Sequence, residues 1–199
     1  MDSGCATARC RFTRRPSWST STALISAPTQ IAQPMPMTSD QLLTFLAENG
    51  IAATTVTHPP LATVADSQAL RGQIVGGHTK NLFLKDKKGR YFLVTVEEEA
   101  TVDLKTIHHL IGASGRVSFG SAEAMMAMLG VAPGAVTMFG VINDADNRVT
   151  AVVDADVMTH ERINAHPLVN TATTTVMRDG LLRFFDLAGH TPLVLKVSA

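Results

Sequence analysis

The residues from Gly76 to Val96 constrain this chain more than any other stretch. Leu82, Phe83 and Leu84 form an apolar run. Asp86, Lys87, Lys88, Gly89 and Arg90 form a charged turn, and residues 91–96 return as a second apolar run. Two short apolar runs separated by a polar, glycine-containing turn specify a β-hairpin. His78, Lys80 and Asn81 fall at the mouth of this hairpin, behind a Gly76-Gly77 pair expected to be flexible. A polar cluster where a strand begins is a place to hold a ligand.

A chain of 199 residues that is 45% hydrophobic can bury one substantial core. One domain with a tail is therefore expected, divided at residues 1–36 and 37–199. The tail is rich in Arg, Ser, Thr, Ala and Pro and has no helical or strand periodicity. It reads as a disordered extension, or as residues ahead of a working start at Met35 or Met37. Arg9, Arg11, Arg14 and Arg15 against Asp2 give the tail a charge of +3, and the whole chain is neutral, so the body carries −3. A slightly acidic body cannot hold a long nucleic acid by charge, so any nucleic acid would be read at an end or over a few nucleotides. Both cysteines, Cys5 and Cys10, lie in the tail. The body thus has no thiol nucleophile, disulfide framework or zinc-thiolate site. No run of 18 apolar residues offers a membrane span, and a cytoplasmic location is expected.

Along the body, Thr38 and Gln41 form a capping-box pattern ahead of Leu42, Leu43, Phe45 and Leu46, which predicts a first helix stopped at Gly50. Residues 51–57 predict a strand ending at His58-Pro59-Pro60, and residues 63–70 a short helix. After the hairpin, Glu97, Glu98 and Glu99 read as a solvated turn and residues 103–110 as a helix carrying His108 and His109 in structural roles. Residues 121–129 predict a methionine-rich helix, either packed in the core or forming an adaptable binding face. Residues 130–140 read as a loop leading into a strand through Val141 and Ile142, and residues 148–153 as the return strand of a second hairpin. The turn between them, residues 143–147, lacks the glycine and closing glutamate of a calcium loop. Residues 154–162 read as helical and 164–170 as an irregular segment holding His166. Residues 171–177 predict a strand, 179–187 a helix and 192–197 a closing strand. Without regular βαβ alternation, this pattern predicts an α+β fold on a curved, mostly mixed sheet.

Known reaction motifs are missing: there is no phosphate-binding P-loop, no GxGxxG after a strand, no GxSxG elbow and no HExxH. His78, His166 and His190 can each be a base or a hydrogen-bonded structural residue. Lys80, beside glycine-rich backbone and an amide side chain, can neutralise a phosphate or a developing oxyanion. An exposed lysine at a strand edge is the other reading.

Four separated motifs bring these residues together: Thr57-His58-Pro59-Pro60, GGHTKNLFLKDKKG ending at Gly89, GVAPGAVT from Gly130, and INAHPLVNTATTT from Ile163. In that order they resemble the YbaK/aminoacyl-tRNA editing family. More narrowly, they resemble the free-standing prolyl-tRNA deacylases, relatives of the editing insertion domain of bacterial prolyl-tRNA synthetase that clear alanine mischarged onto proline tRNA. The resemblance covers about residues 38–199. It implies one compact α+β domain around a mixed, partly barrel-like sheet, with a metal-independent hydrolase pocket that needs no cofactor.

The resemblance further implies catalytic roles for Lys80 and Asn81, with Lys80 engaging the terminal phosphate or ribose of the tRNA acceptor end. It implies that the loop of Gly134, Ala135, Val136, Thr137 and Met138 surrounds the aminoacyl group with backbone donors, and that His166 helps set pocket size. A proline is usual in the family where this chain has Met138. The implied reaction is trans-editing of Ala-tRNA(Pro), with serine or cysteine as other candidate aminoacyl groups and a noncatalytic tRNA or amino-acid binding module as the reading from another class. The implied partners are tRNA and, further, prolyl-tRNA synthetase or other translation factors, with no DNA or membrane involved and a monomer or weak dimer as the working state.

Overall fold

The structure, a computed structural model, describes residues 35–60 and 74–199. The helix expected over residues 63–70 lies outside them. The described part is α+β, with eight strands in one open, mixed sheet.

Helix α1, Ser39–Glu48, begins as its sequence dictates: Thr38 accepts from the Gln41 backbone N–H while the Gln41 side chain accepts from the Thr38 N–H. Its apolar stripe buries Leu42 and Leu46. Strand β1, Ala53–Thr57, follows at one edge of the sheet. Strands β2, Gly77–Lys85, and β3, Tyr91–Glu97, form the expected hairpin, in register from Lys85 opposite Tyr91 to Thr79 opposite Glu97. Asp86 is what closes the turn. Its carboxylate accepts from the backbone N–H groups of Lys88, Arg90 and Ser114 and from the Arg90 guanidinium. Burial pushes its pKa upward, but these four donors outweigh that and hold it far below the ordinary carboxylate range.

Helix α2, Ile107–Leu110, strand β4, Ser118–Phe119, and helix α3, Ala122–Leu129, come next, the last with Ser121 as its N-cap. Strand β5, Val149–Asp154, strand β6, Arg162–Ala165, strand β7, Ala172–Met177, helix α4, Arg178–Leu187, and strand β8, Leu193–Leu195, complete the chain. The sheet order is β1-β7-β6-β2-β3-β5-β8, with β4 also on β2. Strands β2 and β6 run parallel, as do β3 with β5 and β5 with β8.

Several expectations are corrected. Residues 138–143 form a 3-10 helix, Met138–Asn143, not a strand. The Thr137 hydroxyl accepts from the Phe139 N–H and starts that turn, overriding the β-branched run. Strand β5 therefore has no hairpin partner before it and pairs parallel to β3 instead. Between β5 and β6 only Val157–Thr159 is helical, a single 3-10 turn, and the segment expected to be irregular from residue 164 begins inside β6.

Apolar side chains lie on both faces of the central strands, which is why β3 reads as an unbroken hydrophobic run. On one face Phe83 and Leu93 join Leu42, Leu46, Leu129, Phe139, Ile163, Phe184 and Phe185 in the main core. On the other Leu84, Phe92, Val94 and Val96 pack with Ile107, Ile111, Val152 and Val197.

The glycine pair ahead of Lys80 is a tight fit rather than a flexible arm. A Cβ on Gly76 would meet the Arg162 carbonyl oxygen at 2.7 Å, and Gly76 has φ +129°. A Cβ on Gly77 would lie 2.4 Å from the His160 ring, whose Nε2 is 2.5 Å from Glu97 Oε1. Overpacking of this kind costs about 1–3 kcal/mol. We expect Gly77→Ala to lower unfolding free energy by about that amount, and His160→Ala to recover most of the loss in the double variant, measured by denaturant titration.

Candidate functional site

Side chains of β2 alternate between its two faces, so Lys80 and Asn81 point to opposite sides of the same strand. Each side builds a different part of the site.

On the Asn81 side, each end of the amide holds a protein group. Thr95 Oγ1, on the neighbouring position of β3, donates to Asn81 Oδ1 at 2.7 Å, and Asn81 Nδ2 donates to the Val136 carbonyl at 3.2 Å. This chain of two bonds ties the Gly134–Met138 loop to the sheet. Within the loop, Gly134 is exposed with φ +89°, a backbone state that favours glycine. Asn170 Nδ2 is the nearest atom to where its Cβ would be, at 3.9 Å, so the loop lies against the HPLVN segment. The Ala135 N–H is given to the Ala132 carbonyl. Met138 and Thr137 are completely buried, and Met138 belongs to the main core, so its side chain backs the loop from behind.

On the Lys80 side, parallel pairing sets His78 opposite Asn164 of β6, and antiparallel pairing sets Asn164 opposite Thr175 of β7. Residues in register share a face, so His78, Lys80, Asn164 and Thr175 emerge together, with Thr173 two residues before Thr175. His166 follows Asn164 by two residues just as Lys80 follows His78. Thr79 Oγ1 donates to the Asn164 carbonyl at 2.8 Å and locks the two strands at this point.

Around His166 the polar groups are densely connected. Its Nδ1 lies 3.1 Å from the Ala172 carbonyl, and its ring centroid is 6.4 Å from that of His58. His58 is itself held between the Pro59 carbonyl at 2.8 Å and Thr173 Oγ1 at 2.9 Å. Burial lowers the pKa of His166, the His58 charge works in the same direction, and the Ala172 carbonyl and Glu98 oppose them. The neutral ring donates Nδ1–H to Ala172 and keeps Nε2 as an acceptor. The turn that follows contains Leu168 at φ +64°, an uncommon state for a branched side chain, with its N–H given to the His166 carbonyl.

Of the other histidines, His78 Nε2 is 3.1 Å from the Ile74 carbonyl and lies on the Lys80 face. His190 is buried elsewhere, its Nε2 3.1 Å from the Asp144 carbonyl, and is structural. Among the described residues no cluster of His, Cys, Asp and Glu is arranged to hold a metal ion. Asn164, Thr95, Thr173 and Thr175 were not singled out from sequence. Alternation within TATTTVM would have set Thr173 and Thr175 on one face, but threonine on a strand carries no signal for a site.

The sequence profile of the aminoacyl-tRNA editing domain matches residues 58–184. The chain belongs to the aminoacyl-tRNA editing domain family. That bears out the family expected from the four motifs and, with it, the deacylase class of enzyme. Similar proteins include a prolyl-tRNA synthetase associated domain-containing protein 1 of Danio rerio, 34% identical over 158 residues, covering 78% of this chain and 85% of that one. The prolyl-tRNA editing protein ProX of Acetoanaerobium sticklandii is 33% identical over 147 residues, covering 73% and 89%. A solved structure described as a candidate trans-editing enzyme for prolyl tRNA synthetase superposes with a TM-score of 0.57 at 22% identity, covering 79% of this chain and 96% of that one, which shows the shared fold. Lys80, Asn81, Thr95, the Gly134–Met138 loop, Asn164 and His166 all fall within the matched residues. No helix among the described residues is long and apolar enough to cross a membrane.

Two measurements test this arrangement. Thr95→Val leaves Asn81 Oδ1 without its donor, which costs about 1 kcal/mol at a partly buried site. It should also speed amide hydrogen exchange in the 134–138 loop, whereas Thr95→Ser should restore both. For His166 the folded chain binds a proton less readily than the unfolded chain, which does so near 6.5. Its contribution is therefore complete above about pH 6.5 and is lost as pH falls toward the lower folded value. His166→Gln should flatten the fall in stability over that window, read from denaturant midpoints at a series of pH values.

Proposed function

We propose that this protein is a trans-editing deacylase that hydrolyses alanine from mischarged proline tRNA. The observation that carries the reading is the pairing of β2 with β6, which runs Lys80 and His166 toward the same end of two parallel strands. Family membership and the names of the similar proteins point to proline tRNA as the carrier.

The chemistry suits a site without a cysteine, a metal cluster or a serine elbow. An aminoacyl ester is already activated. Water adds to its carbonyl carbon, the ester C–O bond breaks, the ribose oxygen leaves as a hydroxyl, and alanine is released as the free acid. Positioned donors and the neighbouring ribose hydroxyl suffice to direct that water. The Lys80 ammonium takes the terminal phosphate or ribose of the acceptor end. The Gly134–Met138 loop, pinned by Asn81, presents backbone N–H groups to the aminoacyl carbonyl. His166, neutral and anchored to Ala172, shapes the wall on the other side. Asn81 serves as a positioning residue, since both ends of its amide hold protein groups.

Selection is steric: a space that admits a methyl side chain and refuses a pyrrolidine ring is the second sieve a synthetase needs when its own binding cannot separate small residues. The near-neutral body fits a partner of which only the acceptor end must enter.

Deacylation of alanyl, prolyl, seryl and cysteinyl esters of proline tRNA tests the proposal. Alanine should be released and proline retained. Lys80→Ala should lower kcat/KM for the alanyl ester on the order of 10²-fold, the scale of losing one positioned donor. Equal turnover by the variant would remove Lys80 from the mechanism, and preference for the seryl or cysteinyl ester would replace alanine as the substrate.

A further inference from the structure

Strand β6 holds a buried amide that the fold does not use up. Asn164 is 1% exposed. Its main-chain carbonyl accepts from Thr79, and its Oδ1 accepts from Thr175 Oγ1 at 2.6 Å. Its Nδ2 has no hydrogen-bond partner among the described residues. Buried polar groups in folded proteins are nearly always paired, and an amide without a partner costs the folded chain stability that a leucine of similar size would not. As the amide is placed, Oδ1 accepts from the Thr175 hydroxyl, so Nδ2 is the end left open.

The position of this open donor suggests what it serves. Asn164 is in register with His78 on one side and Thr175 on the other, on the face that carries Lys80, and His166 follows two residues later. A carboxamide N–H₂ is a neutral donor. It suits a carbonyl or hydroxyl oxygen and cannot pair with an ammonium group. Because the nitrogen is sealed from bulk water, an oxygen arriving there gives it a partner without displacing a solvent bond, which makes the contact stronger than it would be at a surface.

We propose that Asn164 is a substrate-binding residue whose Nδ2 donates to an oxygen of the aminoacyl-ribose ester, the side chains over it parting as the ester enters. The inference rests on the editing reading above. It adds a donor from β6 to the cation from β2, so that the ester is gripped from both of the paired strands.

The test uses the whole chain carrying Asn164→Asp, which keeps an acceptor for Thr175 but removes the donor, and the double variant Asn164→Leu with Thr175→Val, which removes the polar pair together. Single-turnover hydrolysis of the alanyl ester of proline tRNA should slow by about 10- to 100-fold in both, and the double variant should melt no lower than the wild type. A non-hydrolysable alanylamido analogue whose terminal adenosine lacks the neighbouring hydroxyl, titrated by calorimetry, separates the two oxygens through the loss of affinity in the variants. That loss disappears with this analogue if Nδ2 serves the hydroxyl and persists if it serves the carbonyl. Wild-type turnover in the double variant would overturn the inference, as would a lowered melting point with unchanged kinetics, the result expected if the amide only holds an internal water. Should the wild type hydrolyse none of the esters, the editing reading fails, and binding of a non-hydrolysable alanylamido-adenosine by calorimetry still decides on Asn164: unchanged affinity in both variants overturns its role.

Discussion

Strand β2 is required to carry three ladders at once. Its first residues pair in parallel with β6, the rest pair with β3, and its end also meets β4. That sharing depends on a close approach at Gly76 and Gly77, where the backbone sits against Arg162 and the His160 ring with no room for a side chain. If β2 could not come so close, Thr79 would not reach the Asn164 carbonyl, and the Lys80 and His166 ends of the two strands would separate. The site is therefore a product of backbone proximity first and of side-chain chemistry second.

The two faces of β2 divide the work. One face is mechanical: Thr95, Asn81 and Val136 form a relay that holds a glycine-bearing loop to the sheet through neutral, partly buried hydrogen bonds. The other is chemical, with an ammonium, histidines and an amide brought level by register. Separating them keeps the supports of the loop off the face that carries Lys80. Burial and the nearby His58 both favour the neutral form of His166.

Much of this was legible from the residues. The hairpin was, because Leu82 to Leu84 and Tyr91 to Val96 flank a turn whose Gly89 takes φ +82°; the capping box of α1 and the Ser121 cap were, because caps are local. The 3-10 helix at Met138–Asn143 was not, since Val141 and Ile142 look like strand residues and the deciding hydroxyl of Thr137 acts by local geometry. Strand β6 was missed because NAHP looks irregular until Thr79 and Thr175 are there to bond with Asn164. The motifs marked Lys80 and His166, but the relay through Thr95 could not be read, because it depends on which residue of β3 faces Asn81 across the hairpin.

The bond from Thr79 to Asn164 joins residues 85 apart in the chain. Closing so long a loop is costly in entropy and slow compared with forming a hairpin or a helix. A partly synthesised chain that has completed β2 and β3 thus has its lysine in place but no opposing strand. Under the proposed reading, competence for hydrolysis arrives only with the C-terminal third, after most of the chain has been made.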